Sequence, residues 1–262
     1  MSWPFVKTVR EFETLASTSD TARELVEAGG IELPLLVTAK HQTAGRGRGD
    51  HVWWSGEGSL LFTLAIDPQK HGLRPDHEPR VALAVAVALC RVIDTKCDKT
   101  TGIRWPNDVE CNGRKLAGLL PERMETAEGP RLLIGVGVNL FNRFDDALPG
   151  IRSLATSVLL EGWAYPQESN PDDFLKSLLA NLFDVFDQLS KDSTELSDAW
   201  RDRDLLVRKH VRLKRDGQVI TGTGAGIAPD GGLILRTLEY GVQTYYGGQV
   251  LREYDQGSLD SK

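Results

Sequence analysis

The chain has few cysteines: three in 262 residues, Cys90, Cys97 and Cys111. The number is odd, no Cys-x-x-Cys occurs, and no His/Cys cluster has zinc spacing, so neither a disulfide framework nor a zinc module is encoded. The thiols read as free cysteines of a reducing cytosol. No apolar run is long enough to cross a bilayer. The longest, VALAVAVALCRVI from Val81 to Ile93, falls short of the roughly 20 residues a spanning helix needs. The opening MSWPFVKTVREFETL carries no apolar stretch behind its charges and so no secretory signal. The expected location is cytoplasmic, away from any membrane. Basic charge is also in deficit, 31 Lys and Arg against 37 Asp and Glu for a net charge of −6, which argues against a general nucleic-acid binder. There is no Walker A loop, no G-x-G-x-x-G, no HExxH and no repeat of solenoid length. The histidines, His41, His51, His71, His77 and His210, form no i, i+4 pair and read as surface or loop residues.

What is present reads as a mixed α/β body to about residue 200 with a small all-β tail. ASTSDTARELVEAGG (16–30) predicts a helix. Its start is rich in N-cap residues, Thr21 and Glu24 suit a capping box, and a glycine pair ends it. LPLLVTAKHQ and SLLFTLAI predict buried strands, and the alanine-rich run from Val81 predicts a buried helix. TTGIRWPNDVE and KLAGLLPE predict the two strands of a hairpin about Asn112-Gly113, a type I′ turn signal. RLLIGVGVNL predicts another buried strand, and PDDFLKSLLANLFDVFDQL an amphipathic helix capped by Asp172 or Asp173. From about Leu205, short alternating strands with glycine turns predict a small barrel or sheet.

Three stretches carry chemistry. In HQTAGRGRGDHVWW, Gly45, Gly47 and Gly49 let successive backbone N–H groups face one anion, and Arg46 and Arg48 add bidentate donors for phosphate or carboxylate. Trp53 or Trp54 offers a stacking face; a solvated loop beside core tryptophans is the alternative. In RWPNDVECNGRKLAG, Asn107 and Asp108 set an amide beside a carboxylate suited to Mg²⁺ near phosphates. By strand alternation Lys115 shares a face with Ala117 and Leu119, either pointed into a site or simply exposed. In GVGVNL the small residues permit close packing and Asn139 ends the strand. Ser17 and Thr18 read as helix caps rather than nucleophiles.

The order of these stretches, STSD, HQTAGRGRG…W, RWPNDV…RKLAGLLPE and GVGVNL, resembles the biotin protein ligases from about Phe12 to Arg252, and the tail ending GGQVLR resembles their C-terminal domain. The resemblance implies a catalytic domain like the class II aminoacyl-tRNA synthetases over residues 1–204 and an SH3-like barrel over 205–262. It implies ATP- and Mg²⁺-dependent conversion of biotin to biotinyl-5′-AMP and transfer to one lysine of a biotin carboxyl carrier protein. It assigns biotin to Ser17, Thr18, Gln42, Gly45, Arg46, Lys115, Ala117 and Gly118, the nucleotide to Arg48, Trp53, Asn107, Asn139 and Arg252, and Mg²⁺ to Asp108. Lys115 and Arg48 take the catalytic roles. The loop is expected to be mobile when empty and closed when loaded. The chain departs from the family pattern at Ser19, where Asn is usual, at Asp50 and His51, and in a tail one residue short before Arg252. Many relatives begin with a repressor helix-turn-helix; this chain starts at the catalytic domain, so no DNA binding is expected. A monomer or homodimer is expected. The rival readings are a lipoate or octanoate ligase or transferase, a biotin-binding module without catalysis, and an RGG-like nucleic-acid binder.

Overall fold

The computed structural model describes residues 3–96, 99–163 and 171–252. Cys97 therefore lies outside the described residues; Cys90 and Cys111 are buried. The body is a seven-stranded sheet in the order β1-β2-β3-β7-β6-β5-β4, formed by β1 (Thr8–Leu15), β2 (Leu35–Gln42), β3 (Ser59–Ile66), β4 (Gly102–Arg104), β5 (Asp108–Cys111), β6 (Arg114–Thr126) and β7 (Gly129–Asn139). β1 pairs with β2 in parallel and every other neighbour is antiparallel, so the sheet is mixed, as expected.

Alternation along the central strands sends two sets of side chains to opposite faces. Leu36, Phe62, Leu64, Ile134 and Val136 face the main core. Leu35, Val37, Ala65 and Leu133 face a second cluster with Ala22 and Val26 of α1 (Thr18–Glu27). Over the main core lie α2 (Glu78–Asp94) and α4 (Pro171–Ser190), packed on each other, with α3 (Pro149–Leu154) and α5 (Thr194–Asp202) at the margin. α4 buries Phe174, Leu175, Leu178, Leu179, Leu182, Val185, Phe186 and Leu189, a helical stripe in which each side chain contributes roughly 1.5–3 kcal/mol. The tail forms a separate antiparallel sheet in the order β11-β10-β9-β8-β12, with β8 (His210–Arg215), β9 (Gln218–Ile227), β10 (Leu233–Thr237), β11 (Gly241–Tyr245) and β12 (Gln249–Val250).

Several expectations are corrected. α1 is capped by Ser17, whose Oγ accepts the Asp20 N–H, not by a Thr21–Glu24 box. α2 starts at Glu78, ahead of the apolar run. Asp172 and Asp173 lie within the first turn of α4, favourable for the helix dipole but not at the cap. The first hairpin strand is two strands, β4 and β5, folded on each other about Trp105-Pro106-Asn107. β1 had no counterpart among the predicted strands. His77 is fully buried: its Nδ1 accepts the Arg74 N–H at 3.2 Å and Nε2 lies 3.4 Å from Asp192.

Candidate active site

β7 carries the small residues that make room. Gly135 and Gly137 point to the α1 face, where a Cβ on Gly135 would lie 2.7 Å from Ser19 Oγ and one on Gly137 2.5 Å from the Trp53 ring. Between them and α1 is a recess of about 30 Å³ lined by Ser17, Thr18, Ser19, Gln42, Arg46, Trp53, Gly118 and the β7 glycines. Apart from Arg46 its polar groups are neutral, and Thr18, Ser19 and Gln42 are joined in a chain with the buried Thr63. Gln42 Oε1 accepts the Thr18 N–H at 2.7 Å and the Thr18 hydroxyl at 3.0 Å. Thr63 Oγ1 donates to Thr18 Oγ1 at 2.9 Å and lies 3.1 Å from Ser19 Oγ. Thr63 escaped the sequence reading; it is the one hydroxyl after Ser59 in SLLFTLAI.

The Gly/Arg loop folds over this recess as a short hairpin. Trp53 N–H donates to Gly45 O at 2.9 Å, Gly47 N–H to His51 O at 2.7 Å, and Arg46 bridges Val52. Gly45 is required, because a Cβ there would sit 2.8 Å from Trp53 O and 2.9 Å from Gln42 Nε2. At the tip, Arg48 donates to Gly248 O and His51 Nε2 lies 3.0 Å from Gln249 Nε2 of β12.

Beside the recess is an open cleft of about 1020 Å³, which Arg48, Asp50, Trp53, Arg104, Asn107, Asp108, Lys115, Gly118, Asn139 and Arg252 help to line. Lys115 Nζ is 2.7 Å from Asp108 Oδ1 and 5.6 Å above the Trp53 ring. Arg252 pairs with Glu110 and stands 3.7 Å from Asp108 Oδ2. Asn107 Nδ2 donates to Leu119 O at 2.8 Å, which braces the turn, and Asn139 Nδ2 reaches Lys115 O at 3.4 Å. One end is apolar, where Trp54 stacks on Phe144 with centroids 5.5 Å apart, beside Ile151.

The predicted residues thus converge, except Ala117 and Gly45, the latter lining neither hollow but seated against Trp53 and Gln42. The β5–β6 register shifts at Val109/Glu110, with Val109 opposite Ala117 and Glu110 opposite Lys115, so Leu116 is the extra residue of a β-bulge. The bulge turns Lys115 onto the face of Gly118, where a Cβ would lie 3.3 Å from Nζ. Ala117 is fully buried in the main core and lines neither hollow. Asp50 is exposed at the cleft edge. A hard cation needs one or two carboxylates with phosphate oxygens completing its shell. Asp108, with Asp50 the other cleft-lining acid, fits that requirement for Mg²⁺. Among the described residues no group of three or more His, Cys, Asp or Glu could hold a metal unaided, and no helix is long and apolar enough to cross a membrane.

Residues 11–139 match the Biotin/lipoate A/B protein ligase family and residues 209–252 the Biotin protein ligase C terminal domain. The chain is 30% identical over 244 residues to the bifunctional ligase/repressor BirA of Bacillus subtilis, covering 91% of this chain and 72% of that protein. It is 30% identical over 229 residues to the biotin–[acetyl-CoA-carboxylase] ligase of Paracoccus denitrificans, covering 85% and 92%. The biotin protein ligase of Aquifex aeolicus, solved with biotin and ATP, superposes with a TM-score of 0.76 at 23% identity over 94% of this chain and 98% of that one, a likeness of fold. The chain belongs to the biotin protein ligase family.

Proposed function

We propose that this protein activates biotin with ATP and transfers the biotinyl group to a lysine of a biotin carboxyl carrier protein. The observation that carries the reading is the adjacency of a hydroxyl- and amide-lined recess and a cationic cleft, joined at Trp53 and Gly118, which line both. Biotin's head group is an uncharged ureido ring with donors and an acceptor. Thr18, Ser19, Gln42 and Thr63 supply matching groups without burying a charge. Its carboxylate then emerges where Lys115 stands.

The first step sets a carboxylate against a triphosphate, so repulsion must be neutralised and the reactants held in line. A biotin carboxylate oxygen forms a bond to the α-phosphorus as the bond to the pyrophosphate oxygen breaks. Lys115 leaves Asp108 to contact the carboxylate and α-phosphate. Arg48 and Arg252 hold phosphate charge, and Trp53 walls the adenylate. Bound at Asp108, Mg²⁺ supplies charge neutralisation at the phosphates. No protein nucleophile is needed: the Thr18, Ser19 and Thr63 hydroxyls bond to one another and Thr18 to Gln42, Ser17 caps α1, and no histidine lines the recess. In the second step the carrier lysine amine attacks the acyl carbon and AMP departs. The Gly/Arg loop covers the mixed anhydride and excludes water. The body to residue 204 performs this chemistry, and the tail sheet contributes Gly248, Gln249 and Arg252 to the cleft wall.

The rival substrates are lipoate and octanoate, whose tails have no ureido group to use the recess. The test is biotin-dependent exchange of pyrophosphate into ATP with Mg²⁺, run beside lipoate and octanoate. Exchange with biotin alone is expected. Exchange with lipoate or octanoate overturns the substrate, and biotin binding without exchange overturns catalysis.

A further inference from the structure

The Gly/Arg loop is held in two unlike ways. Its tip meets β12 through Arg48 to the Gly248 carbonyl and the His51–Gln249 contact, neither involving an acid. Its base is held by charge. Arg46 forms a bidentate pair with Glu122 of β6, at 3.0 Å from NH1 to Oε1 and 2.6 Å from NH2 to Oε2. Its Nε lies 2.9 Å from Asp20 Oδ1 in the first turn of α1. Arg23 of α1 adds a further cation 3.8 Å from Glu122. All three donor positions of the Arg46 fork face carboxylates on two different elements, a geometry that fixes the guanidinium in a plane as lysine could not.

Arg46 is also the residue whose backbone bridges Val52, one position before Trp53, the side chain that lies over the recess. Fixing its side chain therefore fixes the strand of the loop that lies over the head-group recess. We propose that Glu122 and Asp20 are positioning residues that clamp the base of the loop through Arg46 and so set how long the biotinyl-adenylate remains bound. The proposal rests on the adenylate chemistry given above.

The three side chains are partly exposed, 35% for Arg46, 23% for Glu122 and 45% for Asp20. Ion pairs so placed add little to global stability and are weakened by salt. The clamp thus acts on the loop without acting on the fold, and this separates it from a structural brace.

The test is the Glu122→Gln variant of the full chain. It is loaded with biotin and MgATP, freed of excess ligand, and followed for release of biotinyl-adenylate beside the wild type. Expected are about tenfold faster release and a raised KM for biotin, with kcat for adenylate formation at saturating biotin within about twofold and the thermal midpoint nearly unchanged. Release from the wild type should quicken with added salt, and the variant should lose most of that dependence. Unchanged release overturns the proposal, as does a lowered thermal midpoint with unchanged release. If Glu122→Gln does not fold, Asp20→Asn on the surface of α1 decides the matter: about threefold faster release is expected, and none overturns it. A wild type that forms no adenylate at all counts against the function, whereas a variant indistinguishable from an active wild type counts against the clamp alone.

Discussion

The recess under α1 and the cleft beside it are built on different plans. The recess presents hydroxyls and an amide beside one cation, Arg46, that is already paired to two acids; it belongs to one sheet with α1 and the Gly/Arg loop, and is shaped by glycines at positions where any Cβ would collide. The cleft is rich in cations and needs both sheets, since Gly248, Gln249, Val250 and Arg252 form part of its wall. Recognition of an uncharged ring can be preorganised by hydroxyls and an amide that satisfy one another. Handling a triphosphate requires charges that already have partners. Here Asp108 holds Lys115, and Glu110 with Asp108 holds Arg252, until substrate replaces them. Each hollow should therefore be separately breakable.

Lys115 stands where the two meet, so its loss has the largest expected effect. Lys115→Ala should lower adenylate formation by about 10²–10³-fold, the magnitude of removing a preorganised charge from a transition state. The fold should be intact, since the side chain packs on Trp53 at the surface of the site and not in the core. Pyrophosphate exchange beside a thermal melt measures both; a rate near wild type would refute the role.

The next effect concerns the junction on which the two-sheet cleft depends. Asp204 is 7% exposed, bridges Ile103 of β4, and precedes the tail sheet. Its Oδ1 accepts the Leu206 N–H at 2.8 Å, while Oδ2 has no hydrogen-bond partner among the described residues. Burial pushes its pKa up from 3.8 to about 6, the Leu206 N–H opposing. The folded state therefore holds a proton that the unfolded state has lost between those values. The favourable contribution is complete below pH 3.8 and is lost as pH rises through about 6. Asp204→Asn is neutral throughout, so it should exceed wild type in stability by up to about 3 kcal/mol above pH 6, the gap closing towards pH 4. Urea unfolding at the two ends of that window checks this, and a gap independent of pH would show that the carboxyl is not the cause.

The difference between the hollows also explains what could be read from sequence. Local chemistry was legible. Asn112 and Gly113 have φ of 51° and 72°, as the hairpin turn requires, and SLLFTLAI is a buried strand as its apolar run predicts. The residues of the cleft were found because WPND and the lysine after the turn are close in the chain. The face of Lys115 was misassigned because the bulge at Leu116 inverts the alternation, and nothing in RKLAG announces it. β1 was missed because TVREFETL is an edge strand, largely exposed, without a clean apolar face. The Arg46–Glu122 pair joins residues 76 apart, a proximity set by the sheet order and invisible to any local pattern.

Gly137→Ala should damage the recess more than the cleft. Its Cβ would meet the Trp53 indole at 2.5 Å, and the indole has no room towards Gly118, where a Cβ would lie 2.9 Å from the same ring. Overpacking of this kind costs about 1–3 kcal/mol, so the KM for biotin should rise at least about tenfold. The KM for ATP should rise less, because Gly137 does not itself line the cleft and is felt there only through Trp53. Equal changes in both constants would mean that Trp53 serves the nucleotide as much as biotin.

The smallest expected effect is the converse experiment. Arg252 lines only the cleft, and its two carboxylate partners compete for it with any phosphate that enters. Arg252→Gln keeps a donor near Glu110 but removes the charge. Glu110, 3% exposed, would then have Arg104 at 3.9 Å as its nearest cation, and Asp108 would lean wholly on Lys115. Two consequences act in the same direction. A phosphate contact is lost, and Lys115 is held more firmly by an acid it no longer shares. Both raise the concentration of ATP needed, by about fivefold for an interaction worth about 1 kcal/mol, and neither reaches the hydroxyls of the recess. Steady-state pyrophosphate exchange with each substrate varied in turn would find the KM for ATP raised and that for biotin unmoved. A shift in the biotin constant of the same size would mean that the cleft and the recess respond as one site, because the C-terminal strand also seats the loop that closes over Thr18 and Gln42.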